Sequence, residues 1–290
     1  MKVTARRTFQ GVVAAGLAAT VGLRAQAPAP GAADAPGVLD GVTRYVEQYY
    51  ARAQRIVAEE TVTLQHLQQD LSPDGLPRVL VYELRVEWDP AVDGPHANVV
   101  RQLVRVGRRP PKPGAEPECL DPNAVSPEPL AFLLPDQRGR FRFALAGRAR
   151  AQGRETVLLD YRSATAEASS ISGTKDCLKI DMPGRQAGRV WADSETSAVM
   201  RLEERLLGPT DVRVPRELQR PGTPLHVTVD RAETTTRYEP VRFADPDEVV
   251  LLPSEIHSVS VIRSTGVQRL RMTQTFRNYR RFLTQSRIIE

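Results

Sequence analysis

The sequence predicts an α+β protein in which one long amphipathic helix packs on an antiparallel β-sheet of about nine strands. Three observations carry this reading. Between Val38 and Ala58 the apolar residues Val42, Tyr45, Val46, Tyr49, Ala53, Ile56 and Val57 recur at steps of three and four, while Arg44, Glu47, Gln48, Arg52 and Arg55 fill the other side, as a helix with one buried stripe requires. From Glu59 onward the beat shortens to two. It is clearest over Arg78–Trp88, where Leu80, Tyr82, Leu84, Val86 and Trp88 point one way and Glu83, Arg85 and Glu87 the other. Turn chemistry then separates the alternating runs at short intervals, as at Ser72-Pro73-Asp74-Gly75, Asp93-Gly94-Pro95, Asp193-Ser194-Glu195-Thr196 and Ser264-Thr265-Gly266. Short returns make hairpins, and hairpins make antiparallel sheet.

The helix is preceded by a segment of different character. Met1 to Phe9 is basic without an acid, Gly11 to Leu23 is apolar, and Ala25-Gln26-Ala27 follows. This is the order of a cleavable signal peptide over residues 1–27, with Ala25 and Ala27 flanking the cleavage site. Thirteen apolar residues are too few to cross a bilayer core, which takes about 20 in a helix, so the mature chain is expected to carry no transmembrane span. Arg6-Arg7-Thr8-Phe9 resembles the twin-arginine export motif, while any basic head can hold two adjacent arginines, so the twin-arginine and general secretory routes both stay open. Either route delivers the protein to the periplasm or beyond.

Cleavage changes the charge argument. It removes Lys2, Arg6, Arg7 and Arg24 and no acid, so 40 basic residues fall to 36 against 35 acidic ones, a net charge of +1. The basic excess belongs largely to the leader, and net charge gives no support for nucleic-acid binding. Residues 28–36 read as a disordered Ala/Pro linker, and residues 37–290 as one domain without internal repeats.

Further alternating runs are expected over Ala97–Val106, Arg140–Ala146, Glu155–Tyr161, Gly188–Asp193, Ala198–Leu207, Leu225–Tyr238, Glu255–Arg263 and Gly266–Phe282. Three stretches interrupt them. Arg108–Pro129 holds seven prolines and Cys119, Ser163–Gln186 is small and polar and holds Cys177, and Pro209–Pro224 is a third loop. In an oxidising compartment Cys119 and Cys177 are expected to form a disulfide tying the first two loops together, the other reading being two separate buried thiols. Ser126-Pro127-Glu128 followed by Leu130, Phe132, Leu133 and Leu134 predicts a capped short helix that could serve as a plug or lid.

Catalytic patterns fare poorly. His66, His96, His226 and His257 are never closer than 30 positions, and neither H-E-x-x-H nor C-x-x-C occurs, so no metal site is predicted. Ser172-Gly173-Thr174-Lys175 fits S-x-x-K but has no S-D-N or K-T-G companion. Adjacent Glu203 and Glu204 are expected on opposite faces of a strand, and Asp245 and Asp247 bracket Pro246 in a turn. No catalytic residue and no cofactor are assigned. A transmembrane barrel is disfavoured by the last strand, whose alternation puts Arg269 and Arg271 on one face and Arg280 on the other.

The amphipathic helix, the strand meander and the segment Gly188-Arg189-Val190-Trp191-Ala192-Asp193-Ser194-Glu195-Thr196, in which an Asp-x-x-Thr turn joins a strand to its returning partner, are together similar to periplasmic proteins of the lipoprotein-carrier (LolA-like) fold. Gln274-Thr275-Phe276-Arg277-Asn278-Tyr279-Arg280-Arg281-Phe282 resembles the final strand of uncharacterised secreted bacterial proteins of that architecture. The resemblance implies a curved half-barrel with the helix on its concave side. It further implies an apolar ligand site between Val42, Tyr45, Val46 and Tyr49 on the helix and Tyr82, Leu84, Phe141 and Phe143 on the strands. The expected function is non-enzymatic binding of a lipid or of lipoprotein acyl chains. The alternative is an envelope interaction or sensor module in which the same residues form a solid core and a protein partner is held elsewhere.

Overall fold

The structure is a computed structural model, and it describes residues 35–53, 55–87, 98–112, 128–174, 177–219, 222 and 224–281. All of them belong to one compact unit. The leader, with Arg6, Arg7, Ala25 and Ala27, lies outside the described residues, as do Trp88, His96, Cys119, Ser126, Pro127 and Lys175.

Helix α1 spans Ala35–Arg52 and buries Val42, Thr43, Val46, Tyr49 and Tyr50. It ends sooner than the apolar spacing predicts. Arg55 sits at a left-handed φ of 53°, and the β-branched pair Ile56-Val57 opens strand β1 (Ile56–His66) instead of continuing the helix. The remaining strands are β2 (Arg78–Glu87), β3 (Asn98–Val106), β4 (Phe141–Ala151), β5 (Arg154–Ser163), β6 (Ser170–Thr174), β7 (Cys177–Asp181), β8 (Gln186–Asp193), β9 (Val199–Leu206), β10 (Thr210–Arg213), β11 (His226–Ala244), β12 (Asp247–Arg263) and β13 (Val267–Arg281). A 3-10 turn over Glu128–Leu133 stands where the short plug helix is expected.

Ten strands form one antiparallel sheet in the order β3-β2-β1-β13-β12-β11-β9-β8-β5-β4, and β10 joins it as a branch on β11. The sheet does not close on itself. Its outer members β3 and β4 are edges, which is the open half-barrel that the sequence suggested, with more strands than about nine. The surplus comes from stretches read as loops: β6 and β7 pair as a hairpin inside Ser163–Gln186, and β10 lies inside Pro209–Pro224.

One row of paired residues shows how the sheet builds its core. Leu145, Leu159, Val190, Leu202, Thr236, Ile256, Gln274, Val62, Leu80 and Val106 stand opposite one another from β4 to β3. Eight of the ten are aliphatic, and this inner face carries α1. The helix stripe and the strands share one core cluster containing Val42, Val46, Tyr49, Leu84, Leu159, Val190, Leu202 and Ile256. Full burial of a valine or leucine side chain contributes about 1.5–3 kcal/mol, so the part of the row from Leu145 to Ile256 and the stripe are the main adhesive between helix and sheet, while Val62, Leu80 and Val106 pack in a separate cluster.

Of the sheet's several register shifts, two bear on the core. Asn278, at φ 56°, is an extra residue of β13 between the pairs Glu59–Arg277 and Val57–Arg280. The bulge turns Tyr279 inward beside Phe276 and leaves Arg280 on the same outer face as Arg269, Arg271 and Arg277, contrary to strict alternation. A second shift, at Arg237/Tyr238, lets the end of the β11–β12 hairpin reach over, so that Phe243, Val250 and Leu252 join the same core.

Candidate binding site

The inner face divides into a packed centre and a less covered margin. At the centre, Val42 and Val46 are 0% exposed and Tyr49 meets Tyr238 edge-on with centroids 6.4 Å apart. Burial, reinforced by neighbouring phenols, raises Tyr49 above the ordinary tyrosine range, and burial likewise raises Tyr45, Tyr161, Tyr238 and Tyr279. Tyr279 donates to the Pro253 carbonyl at 2.5 Å, so one of these hydroxyls is satisfied by backbone.

At the margin, β4 presents Phe141, Phe143 and Leu145, all half-buried. Their cover is the 3-10 turn. The Phe132 ring lies 4.3 Å from Tyr161, 5.3 Å from Phe141 and 6.3 Å from Phe143, centroid to centroid. The turn is held to α1 by Thr43 Oγ1, which donates to the Leu133 carbonyl at 2.9 Å, and by the Arg138–Asp40 ion pair at 2.6 Å. Leu130 and Leu133 are fully buried, whereas Ala131, Phe132 and Leu134 are not. The turn is therefore an apolar plug seated by a few side chains in an aromatic trough.

Beside the plug a depression of ≈ 390 Å³ opens between Phe141, Ser163 and Gln186 on the sheet and Met182, Pro183 and Gly184 after β7, with the polar Arg140, Thr165, Glu167 and Asp181 completing its lining. Gly184 is glycine for a steric reason: at φ +71° a Cβ would stand 2.0 Å from the Thr165 carbonyl oxygen. Deeper in, Tyr161, Gly188, Glu204, Thr234 and Ser258 stand in one inner row. A Cβ on Gly188 would meet the Glu203 carbonyl oxygen at 1.9 Å and the Tyr161 hydroxyl at 2.6 Å, so only glycine lets that phenol lie across the strand. The Tyr161 hydroxyl donates to Glu204 Oε2 at 3.3 Å. Burial holds the Glu204 carboxyl above the usual glutamate range, an effect this hydrogen bond opposes.

The predicted ligand-site residues are thus distributed over three environments. Val42, Val46, Tyr49 and Leu84 are in the packed centre; Tyr45, Phe141 and Phe143 are at its margin; Tyr82 belongs to a separate cluster with Val62 and Leu80. Sequence reasoning gave Phe132 a plug role but no place in the site, since contact across 9 to 29 positions leaves no local signal. It also missed a buried polar centre. Glu60 is 0% exposed, accepts from Arg101 at 2.6 and 3.0 Å and from Gln274 Nε2 at 2.7 Å, and lies among inner-facing residues. The one available hint was a glutamate in phase with Ile56, Ala58 and Val62.

The catalytic candidates weighed from the sequence lie apart in the structure. Among the described residues no three of His, Cys, Asp and Glu gather as a metal site. Glu203 and Glu204 face opposite sides, and Asp245 lies in the β11–β12 turn. Cys177 is the last partner of the β6–β7 ladder, opposite Thr174, with Cys119 outside the described residues. The Asp-x-x-Thr turn forms as the sequence suggested: Asp193 Oδ1 accepts from the amides of Glu195 and Thr196 and from Thr196 Oγ1 at 2.8–3.0 Å.

No family model matches the chain, and no curated protein matches it. It is similar to solved structures at low identity. A DUF1329 family protein from Desulfovibrio piger is 9% identical, with 87% of this chain and 95% of that chain covered at a TM-score of 0.39. A LolA superfamily protein from Nitrosomonas europaea is 9% identical over 86% and 97% at 0.28, and an outer membrane lipoprotein-sorting protein domain from Vibrio parahaemolyticus is 11% identical over 87% and 95% at 0.31.

Proposed function

We propose that the chain is an exported, non-enzymatic protein that binds an apolar ligand, a lipid or the acyl chains of a lipoprotein, on the inner face of its sheet. The single observation that carries this reading is the Phe132 plug. Its ring occupies a trough of Phe141, Phe143 and Tyr161 at the margin of the helix–sheet core, and a depression adjoins it. An aromatic wall suits an acyl chain, since each buried methylene gains about 0.8 kcal/mol. The ligand would take the place of the plug beside α1. The stripe of Val42, Val46 and Tyr49 then supports the trough and does not line it.

Native mass spectrometry of protein purified from the periplasm tests this. A bound mass in the range of an acyl lipid, lost on delipidation and regained on incubation with phospholipid, is expected. Phe143→Asp puts a carboxylate into the trough at a half-buried edge position and should abolish the adduct while leaving far-UV circular dichroism unchanged. A chain that is empty before and after lipid exposure contradicts the reading.

A second reading, an envelope interaction module, is favoured by the closed packing under the helix, where Val42 and Val46 have no exposed surface. It predicts a protein partner recovered by crosslinking in the cell and no lipid adduct.

A further inference from the structure

The outer face of the sheet carries a feature that the inner-face reading does not use. Arg271, Val259, Glu233, Arg205, Ala187, Arg162 and Arg142 stand directly opposite one another on β13, β12, β11, β9, β8, β5 and β4. Paired residues share a face, so four arginines lie in one row across seven strands. Six strand spacings of about 4.8 Å give the row a length of about 29 Å.

The acids near it are already engaged. Glu233 bonds Arg231 at 2.6 Å, Asp160 holds Arg189 at 2.5 and 3.0 Å, and Glu203 pairs with Arg201. Arg142, Arg162 and Arg205 are exposed and have no ion pair among the described residues. Arg185, two residues before Ala187, keeps a buried Nε without a hydrogen-bond partner. A depression of ≈ 540 Å³ opens over Ala187 between Arg162 and Arg205, and its lining also holds Arg189 and the carboxylates Asp160, Glu203, Glu233 and Glu204, the last of which accepts from the Tyr161 hydroxyl. The row contains no lysine. Guanidinium groups pair with phosphate in a two-pronged geometry that ammonium groups lack.

We propose that this row docks the protein on an anionic phospholipid surface, with a lipid phosphate seated over Ala187 between Arg162 and Arg205. One free phosphate could engage only the two arginines beside the depression. A row about 29 Å long is complemented by several phosphates held side by side, which a membrane surface supplies. Docking by the outer face leaves the inner face free, so the surface works whatever the trough holds.

Flotation of the purified chain with phosphatidylglycerol–phosphatidylethanolamine vesicles, and with phosphatidylcholine vesicles as the neutral control, tests the proposal. The chain is expected to float with the anionic vesicles only and to be released by salt. Each arginine near the surface contributes to partitioning, so R142Q/R162Q/R205Q should reduce it about a hundredfold. R108Q/R109Q/R216Q, which removes the same charge from exposed positions off the row, should stay close to wild type. Near-UV circular dichroism checks that both triples are folded. Equal losses in the two triples, or indifference to anionic vesicles, overturn the proposal. So does displacement from the vesicles by inorganic phosphate at constant ionic strength, which assigns the site to a free anion. Capture of a polyglutamate peptide without vesicle binding assigns it to an acidic protein and overturns the proposal as well.

Discussion

Arg101 reaches from β3 across β2 to Glu60 on β1, and the two form an ion pair in which the acid is 0% and the arginine side chain 7% exposed. Removing two charges from water costs several kcal/mol, which their attraction returns only when every lone pair is met. Gln274 meets one of them, and its own Oε1 is left without a partner. Arg101→Ala should therefore cost about 3–5 kcal/mol, because it strands the Glu60 charge. The triple replacement Glu60→Leu, Arg101→Met, Gln274→Leu should recover most of that loss in urea unfolding. A triple variant as unstable as the single one would show that the network itself supports the fold.

The Asp193 turn gives a pH dependence. Burial would raise this carboxyl, but hydrogen bonds from the Thr196 amide and hydroxyl and the Glu195 amide, together with Arg154 at 2.7 Å, hold it below the usual range. A depressed folded value means stability that is present above the unfolded value and is lost as pH falls through the folded one. Asp193→Ala should cost about 1–3 kcal/mol at neutral pH and flatten the acid limb of the stability curve. Thermal melts from neutral to acid pH would measure both.

Glu204 has the opposite sign. Burial raises its carboxyl, so the folded state holds the proton more tightly than the unfolded chain. Its contribution is complete below the unfolded glutamate value and disappears as pH rises through the folded one. Glu204→Gln keeps the hydroxyl contact with Tyr161 and should remove that decline. The variant is expected to equal wild type in acid and to exceed it at neutral pH, by urea unfolding at each pH.

The buried phenols make a spectroscopic prediction. Tyr45, Tyr49, Tyr161, Tyr238 and Tyr279 are all raised by burial. An alkaline absorbance titration should show these five of the seven tyrosines ionising only when the chain unfolds. Gradual ionisation with the fold intact would mean that the centre admits water.

Much of the fold was legible because it is written in local periods. Spacing of three and four placed Val42, Val46 and Tyr49 on one helix face, and the beat of two placed Leu80, Tyr82 and Leu84 on one strand face. What escaped were features that depend on a neighbour far along the chain. The bulge at Asn278 is set by pairing with Val57 and Glu59, more than 200 positions away, and it reversed the side assigned to Arg280. The β6–β7 hairpin has the composition of a loop, and Ile171 and Ile180 gain strand character from packing on Val212 and Val214. The candidate site was half visible: Phe141 and Phe143 alternate plainly, but nothing local says that Phe132 fills the space above them. The row of Arg142, Arg162, Arg205 and Arg271 exists only once the strand order is known.

The inner-face claim is tested most directly by titrating the folded chain with spin-labelled stearate and reading paramagnetic broadening of methyl resonances. Binding in the trough predicts broadening at Leu133, Leu145 and Leu159, and little at Val62, Leu80 and Val106 at the other end of the sheet. Broadening confined to the outer face, or none at saturating stearate, would contradict it.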